Sequence, residues 1–286
     1  MKSERIIYNI VNIIFLVISI LLVNYTGIID MSFSISELIV LAFLFVIIHV
    51  FKFIRIYFLL LEEGISLKRR IKIYIKTTFV SIVLPYKLGE LFKMYSYGYE
   101  TKNYAKGIIS VLMDKFFDAV ILCLVLVPYG MIQNGHISSL TYILLAFLIV
   151  ILVVYISFES TYYYLNKFFI IKTKSKKGLF PLNMLEKLNG IYISAKEMIR
   201  GRHVVLLCLT AIIWATETLF IYVMSGFMNI KTEFVTIINY ISDAFFGINN
   251  ILFNNYIYLC TAIFLVIMGY IYLKKCIDGG KKVWKK

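Results

Sequence analysis

The sequence predicts an all-α polytopic membrane protein with about six full spans and two shorter re-entrant hairpins. Three observations predict it. Of 286 residues, 61% are apolar and 16% charged, with a mean hydropathy of +0.85; soluble domains lie near 45–50% apolar and about a quarter charged. The apolar residues gather into eight stretches, most of them near the roughly 20 residues a helix needs to cross hydrocarbon. The 30 Lys and Arg are divided very unevenly between alternate connecting segments. The apolar excess excludes a soluble enzyme, a secreted disulfide scaffold and a disordered chain. The net charge of +14 needs a folded soluble face to serve nucleic acid, and none is available. An anionic leaflet is the better partner for it.

Residues 1–5 carry two cations, and 6–23 is apolar apart from Asn9, Asn12 and Ser19. It is too long for a signal-peptide core and no small-x-small site follows, so it reads as a first span. Stretches 38–61, 107–128, 140–158, 203–227 and 252–273 read as further spans. Stretch 71–84 begins among Lys72 and Lys76 and stops at Pro85. As a helix it reaches only about 21 Å, short of a slab of about 30 Å. Stretch 234–248 is equally short and runs into Asn249, Asn250, Asn254 and Asn255.

Charge tests this arrangement. With 71–84 and 234–248 re-entrant, the inner segments are 1–5, 62–106, 159–202 and 274–286. They hold every cation except Lys52, Arg55 and Lys115 within spans and Lys231 outside. A full crossing at 71–84 would put its flanking basic stretches in opposite compartments and erase the asymmetry. The positive-inside rule thus favours both termini in the cytoplasm of a cell membrane. Two hairpins dipping in from opposite faces also hint at an inverted repeat, as in transporters. The organisation expected is one integral-membrane domain over 1–286. Within it, 159–202 is a cytoplasmic basic amphipathic loop, with Tyr162, Tyr163, Tyr164, Phe168, Phe169 and six lysines from Lys167 to Lys187. Such a segment suits the surface of the inner leaflet. Cys123, Cys208, Cys260 and Cys276 are scattered and form no metal-ligand spacing. No cofactor and no metal are expected.

Charges in hydrocarbon cost several kcal/mol unless paired or wetted, so they are the default functional candidates. Pro85 removes a backbone donor and breaks the incoming helix, and Gly89 permits a tight approach. A second helix starting near Gly89 would turn free N–H groups towards the break, with Lys87 and Lys93 beside it. That construction suits an anionic headgroup; the alternative is an interfacial turn whose lysines snorkel to water. Asp114, Lys115 and Asp118 form a second group. Asp114 and Asp118 share a helix face, and Asp118 lies about 16 Å from the inner end. A structural ion pair is the alternative there. His49, Lys52 and Arg55 recur every three residues, sweeping one face of their span towards Glu90, Asp114 and Asp118. Glu217, beside Trp214, and Asp243, near Asn239, form an outer polar set. Two sets, one near each face, are what a translocation route needs; the alternative is that each only holds the bundle together.

Pro85-x-x-x-Gly89-Glu90 with Lys93, followed by Asp114-Lys115-Phe116-Phe117-Asp118, resembles the lysylphosphatidylglycerol synthase transmembrane-region family, also called flippase-like. That family shows P-x-x-x-G-E-x-x-R and then E-R-x-x-D. Proline, glycine, glutamate and the final aspartate agree, with Lys for Arg at 93 and 115 and Asp for Glu at 114. Many members carry a second Pro-Gly-Gly motif in the late re-entrant segment, whereas Pro181 is the last proline here. The resemblance implies a module that handles anionic or polyprenyl-phosphate-linked lipids between leaflets. It also implies an enzyme label, lysyltransferase, whose soluble catalytic domain is not expected in these 286 residues.

The expected function is therefore translocation of a phosphate-bearing lipid. Lys87, Lys93, Arg55 and Gly89 would bind the headgroup. Glu90, Asp114, Lys115, Asp118, His49 and Lys52 would form the charge network, and Glu217 with Asp243 would line the outer exit. No nucleotide-binding P-loop is present, so a gradient or downstream consumption would drive transfer. The rivals are an integral-membrane glycosyl or aminoacyl-phospholipid transferase and a non-transporting partner of cell-envelope biosynthesis enzymes.

Overall fold

The computed structural model describes residues 33–84, 88–133, 137–172, 179–230 and 255–266, together with 6–7, 10–11, 14, 233, 237–238 and 241. Pro85, Lys87 and Asp243 lie outside the described residues, as do most of the first apolar stretch and of 234–248. Among the described residues the regular structure is helical, without strands. The helices are α1 (Ile35–Leu59), α2 (Leu67–Val83), α3 (Leu88–Thr101), α4 (Tyr104–Gln133), α5 (Ser139–Lys172), α6 (Leu179–Ile199), α7 (His203–Phe227) and α8 (Asn255–Val266). Helices α1, α5 and α7 are long and apolar enough to cross a membrane. Their outward faces carry large apolar side chains such as Phe43, Val150 and Val204, the last two 60% exposed. Water would penalise such a surface at about 25 cal/mol per Å²; lipid tails do not. The chain is a multi-pass membrane protein.

Local chemistry sets the helix ends. At the start of α1, the Ser34 N–H donates to Glu37 Oε2 (2.7 Å) and the Glu37 N–H donates to Ser34 Oγ (3.4 Å), a reciprocal capping box. After α1 a short 3₁₀ turn, Leu61–Glu63, closes on Gly64 at φ 61°. Asn103 caps α4, its Oδ1 accepting from the N–H groups of Ala105 (3.0 Å) and Lys106 (3.3 Å). The sequence placed the end of that span at Pro128, but α4 continues through Pro128 to Gln133. The 159–202 segment is also more regular than a loop. Residues 159–172 continue α5, which at 34 residues is about 51 Å long, and α6 supplies most of the remainder.

The chain forms two compact units: residues 1–48, 74–92 and 216–286 in the first, and 49–73 and 93–215 in the second. The core of the first unit gathers Leu41, Phe45, Phe79, Val80, Phe92, Phe220, Met224 and Phe264, with Phe79 stacked on Phe264 at 5.2 Å. There α2 and α3 meet backbone to backbone, since a Cβ on Gly89 would overlap Ser81. In the second unit α4, α5 and α6 pack on one another. Gly107 of α4 touches the backbone of Gly98 and Met94 in α3. Small residues allow such approaches, through which membrane helices gain van der Waals packing.

This contrast predicts opposite signs for two conservative substitutions. Gly107→Ala puts a methyl into backbone and is expected to cost about 1–3 kcal/mol. Gly190→Ala, with nothing within 4 Å of the added Cβ, is expected to gain up to about 1 kcal/mol from helix propensity. Thermal unfolding of the purified chain in one detergent checks both.

Candidate functional site

Three helices of the second unit bring polar side chains to one point. Arg55 stands four residues from the end of α1 and is 2% exposed. Its Nη1 donates to Asp118 Oδ1 at 2.6 Å, and its Nη2 lies 2.6 Å from Asp114 Oδ1 and 3.5 Å from Asp118 Oδ2. From α7, Thr210 Oγ1 accepts from the same Nη1 at 3.1 Å and donates to the Leu206 carbonyl at 2.7 Å. Trp214 Nε1 donates to Asp118 Oδ1 at 3.2 Å. Lys115 Nζ stands 3.8 Å from Asp118 Oδ2, with its side chain 43% exposed.

The spacing noted in the sequence produces this geometry. Asp114 and Asp118 are one turn apart on α4, so a single guanidinium can reach both carboxylates. Thr210 and Trp214 repeat the same interval on α7. One cation against two anions leaves a net charge of −1, which Lys115 offsets from the exposed side. A charge-assisted, multidentate arrangement of this kind is the strong form of hydrogen bond. Its formation recovers part of the desolvation cost of bringing the charges out of water.

Of the residues expected to act together, Arg55, Asp114, Lys115 and Asp118 are joined. His49 and Lys52 belong to the same unit and are half-buried, as is Lys93 on α3. Arg55, expected to face the acidic cluster and to bind a phosphate, meets Asp114 and Asp118. Glu90, half-buried in the first turn of α3, and buried Gly89 belong to the first unit. Glu217, also in the first unit, accepts from the Tyr256 hydroxyl at 3.1 Å. Trp214, grouped with Glu217 in the sequence, serves Asp118 instead, because three residues turn a helix by about 300°. Sequence reasoning missed Thr210 and Tyr256. Thr210 had a signal, being polar and one turn before Trp214 in an apolar helix; Tyr256 had none.

A second set of ion pairs joins the segments that follow α1 to α3, α4 and the start of α7. Glu63 meets Lys106 at 2.6 Å, Glu62 meets Arg202, and Arg69 of α2 meets Glu100 of α3. Arg202 Nη1 also donates to the Phe58 carbonyl at 3.2 Å, supplying a partner that the helix end lacks.

Long apolar helices around a neutralising cluster of buried charge define a helical integral-membrane protein with an internal polar site. The sequence profile of one family, described as the lysylphosphatidylglycerol synthase TM region, matches residues 9–248, and the chain belongs to that family. This makes it a membrane protein of a lipid-related family. In comparisons with curated proteins and with solved structures, nothing matches.

Removing one member of the cluster strands the others. Arg55→Met leaves two carboxylates facing each other and is expected to cost about 3–5 kcal/mol. Adding Asp114→Leu and Asp118→Leu to Arg55→Met should recover most of that loss. Asp118→Asn should destabilise more than Asp114→Asn, because Asp118 holds Arg55, Trp214 and Lys115 together. Denaturation midpoints of the four variants in a common detergent check the order.

Proposed function

We propose that this protein binds a lipid with a phosphate-bearing headgroup, an anionic phospholipid or a polyprenyl-phosphate-linked lipid, and assists its passage between leaflets. The observation that carries this reading is the Arg55 guanidinium held between Asp114 and Asp118. A phosphate can take the place of a carboxylate on a guanidinium with the same bidentate geometry. An arriving headgroup would therefore exchange with one aspartate and open the joint between α1, α4 and α7. That swap avoids exposing an unpaired charge. Membership of a lipid-related family supports the same reading.

In this mechanism Lys87 and Lys93, with the backbone at Gly89, receive the headgroup at the break made by Pro85. Glu90, Asp114, Lys115, Asp118, His49 and Lys52 form the network that rearranges around Arg55. Glu217 and Asp243 line the outer exit. The setting is a cell membrane, with six crossings, two re-entrant hairpins and both termini in the cytoplasm; cell-envelope biosynthesis enzymes would be its partners. The uneven distribution of cations supports that orientation.

Two measurements test the proposal. In vesicles carrying a fluorescent phosphatidylglycerol, Glu90→Gln and Asp118→Asn are each expected to reduce transfer at least tenfold while the purified protein stays monodisperse. Full transfer by both would remove these residues from the mechanism. For the orientation, Ser175→Cys is expected to react with a membrane-impermeant thiol reagent only after cells are opened, and Ser138→Cys in intact cells. The reverse pattern would invert the proposed topology.

A further inference from the structure

Helix α5 is longer than the hydrocarbon it crosses. Its 34 residues make about 51 Å, and even at a tilt of about 40° hydrocarbon covers only about 39 Å of that. The apolar run ends at Phe158 and Glu159 is the first charge, so the excess lies at the C-terminal end. There α5 packs on α6, with only the short connection 173–178 between them. Phe158 stacks on Tyr192 at 4.7 Å, Tyr155 lies 5.5 Å from the same ring, and Glu159 meets Lys196 at 4.0 Å. Contacts so far from the connection on both helices make the pair an antiparallel hairpin. The rings turned into it have one another as partners.

The outward faces are built differently. On α5, Tyr163, Lys167, Ile170 and Ile171 share one face, and on α6 Phe180, Met184, Lys187 and Leu188 repeat the same spacing. All of these side chains are exposed, Tyr163 and Phe180 to 73%. Each face interleaves apolar side chains with a lysine. The α6 row that is bare at Phe180 and Met184 is buried farther along at Ala195 and Met198. Over 159–202, Lys and Arg outnumber Glu by nine to three, with no Asp. Water would leave the apolar area wet, and hydrocarbon would strand the lysines. The headgroup layer between them accepts both, with rings and aliphatic groups at its lower boundary and ammonium groups at the phosphates. The excess of cations selects an anionic layer. A second copy is a poorer occupant, because an isologous contact sets these lysines against their own kind.

We propose that the α5–α6 hairpin beyond residue 158 is an interaction surface for the anionic headgroup layer of the membrane. The apolar side chains of its two outward faces enter the boundary with the lipid chains, and Lys167 and Lys187 meet lipid phosphates. The surface gathers anionic lipid around the hairpin by charge. It goes beyond the transport reading, since it uses none of the residues placed on that route and holds for either orientation of the chain.

The test uses the full chain in mixed vesicles of phosphatidylcholine and phosphatidylglycerol, with Phe180→Trp as reporter. Lipid brominated near the top of its chains quenches a tryptophan that reaches the headgroup boundary. Emission is read against the unsubstituted chain, so that Trp214 and Trp284 cancel. At equal mole fraction, brominated phosphatidylglycerol is expected to quench the reporter roughly twofold more than brominated phosphatidylcholine. Adding Lys167→Gln and Lys187→Gln should remove most of that preference, as should salt at about 0.5 M. Tyr163→Trp is a second reporter, on α5, with the same expectation, and decides the matter if Phe180→Trp does not fold. Reporters that neither lipid quenches overturn the membrane contact and leave a protein partner or a second copy as the occupant. Equal quenching by both lipids overturns the choice of an anionic layer, and a preference that survives loss of both lysines overturns their role. Lipid transfer does not enter the readout, so this proposal and the transport reading can each fail alone.

Discussion

A guanidinium inside an apolar bundle must find its counter-charge within the protein, and that requirement organises the second unit. Water is not available to solvate Arg55, which is 2% exposed, and an isolated buried ion would cost several kcal/mol after relaxation. Two carboxylates on α4 and a hydroxyl on α7 meet the demand. The two terminal nitrogens of the guanidinium thereby tie α1 to α4 and α7. Trp214 extends the constraint by holding the same carboxylate from α7. A joint of this type contributes less to net stability than apolar packing of equal volume. It remains sensitive to any anion able to replace a partner.

Helix α1 concentrates these constraints because it is among the most apolar elements and still carries the cation. Its N-terminal end is closed by the Ser34–Glu37 capping box. Its other end receives Arg70 and Arg202 on carbonyls that the helix leaves without partners. Cations at a helix C-terminus also complement its dipole. The ion pairs of Glu62 and Glu63 tie the following turn to the starts of α7 and α4. Electrostatics thus places the ends of helices whose lipid-facing sides have little directional preference of their own.

Backbone proximity supplies the complementary constraint. Apolar side chains gain nothing by leaving lipid for one another, so close packing depends on shape. Gly89 against Ser81, and Gly107 against Gly98, bring backbones together where any larger residue would separate them. The first of these sets α2 against α3, and the second sets α4 beside α3. Both lie within stretches whose composition alone is unremarkable for a membrane helix.

The sequence by itself determined the solvent, the helices and the candidate charges. Apolar content excluded water, run length selected helices, and Asp114 with Asp118 at one-turn spacing marked a single face. These are local properties, readable because a helix repeats every 3.6 residues. Only the tertiary structure decided which charge meets which. Arg55 could be read as a phosphate ligand or as a partner of the acidic cluster until Asp114 and Asp118 were seen on either side of its guanidinium. Trp214 could be read with Glu217 until the helix turned one towards Asp118 and left the other to Tyr256. The passage of α4 through Pro128 and the continuation of α5 beyond residue 158 are likewise visible only in the structure. Pairing depends on distances between residues 63 and 155 positions apart in the chain, and no local periodicity encodes that separation.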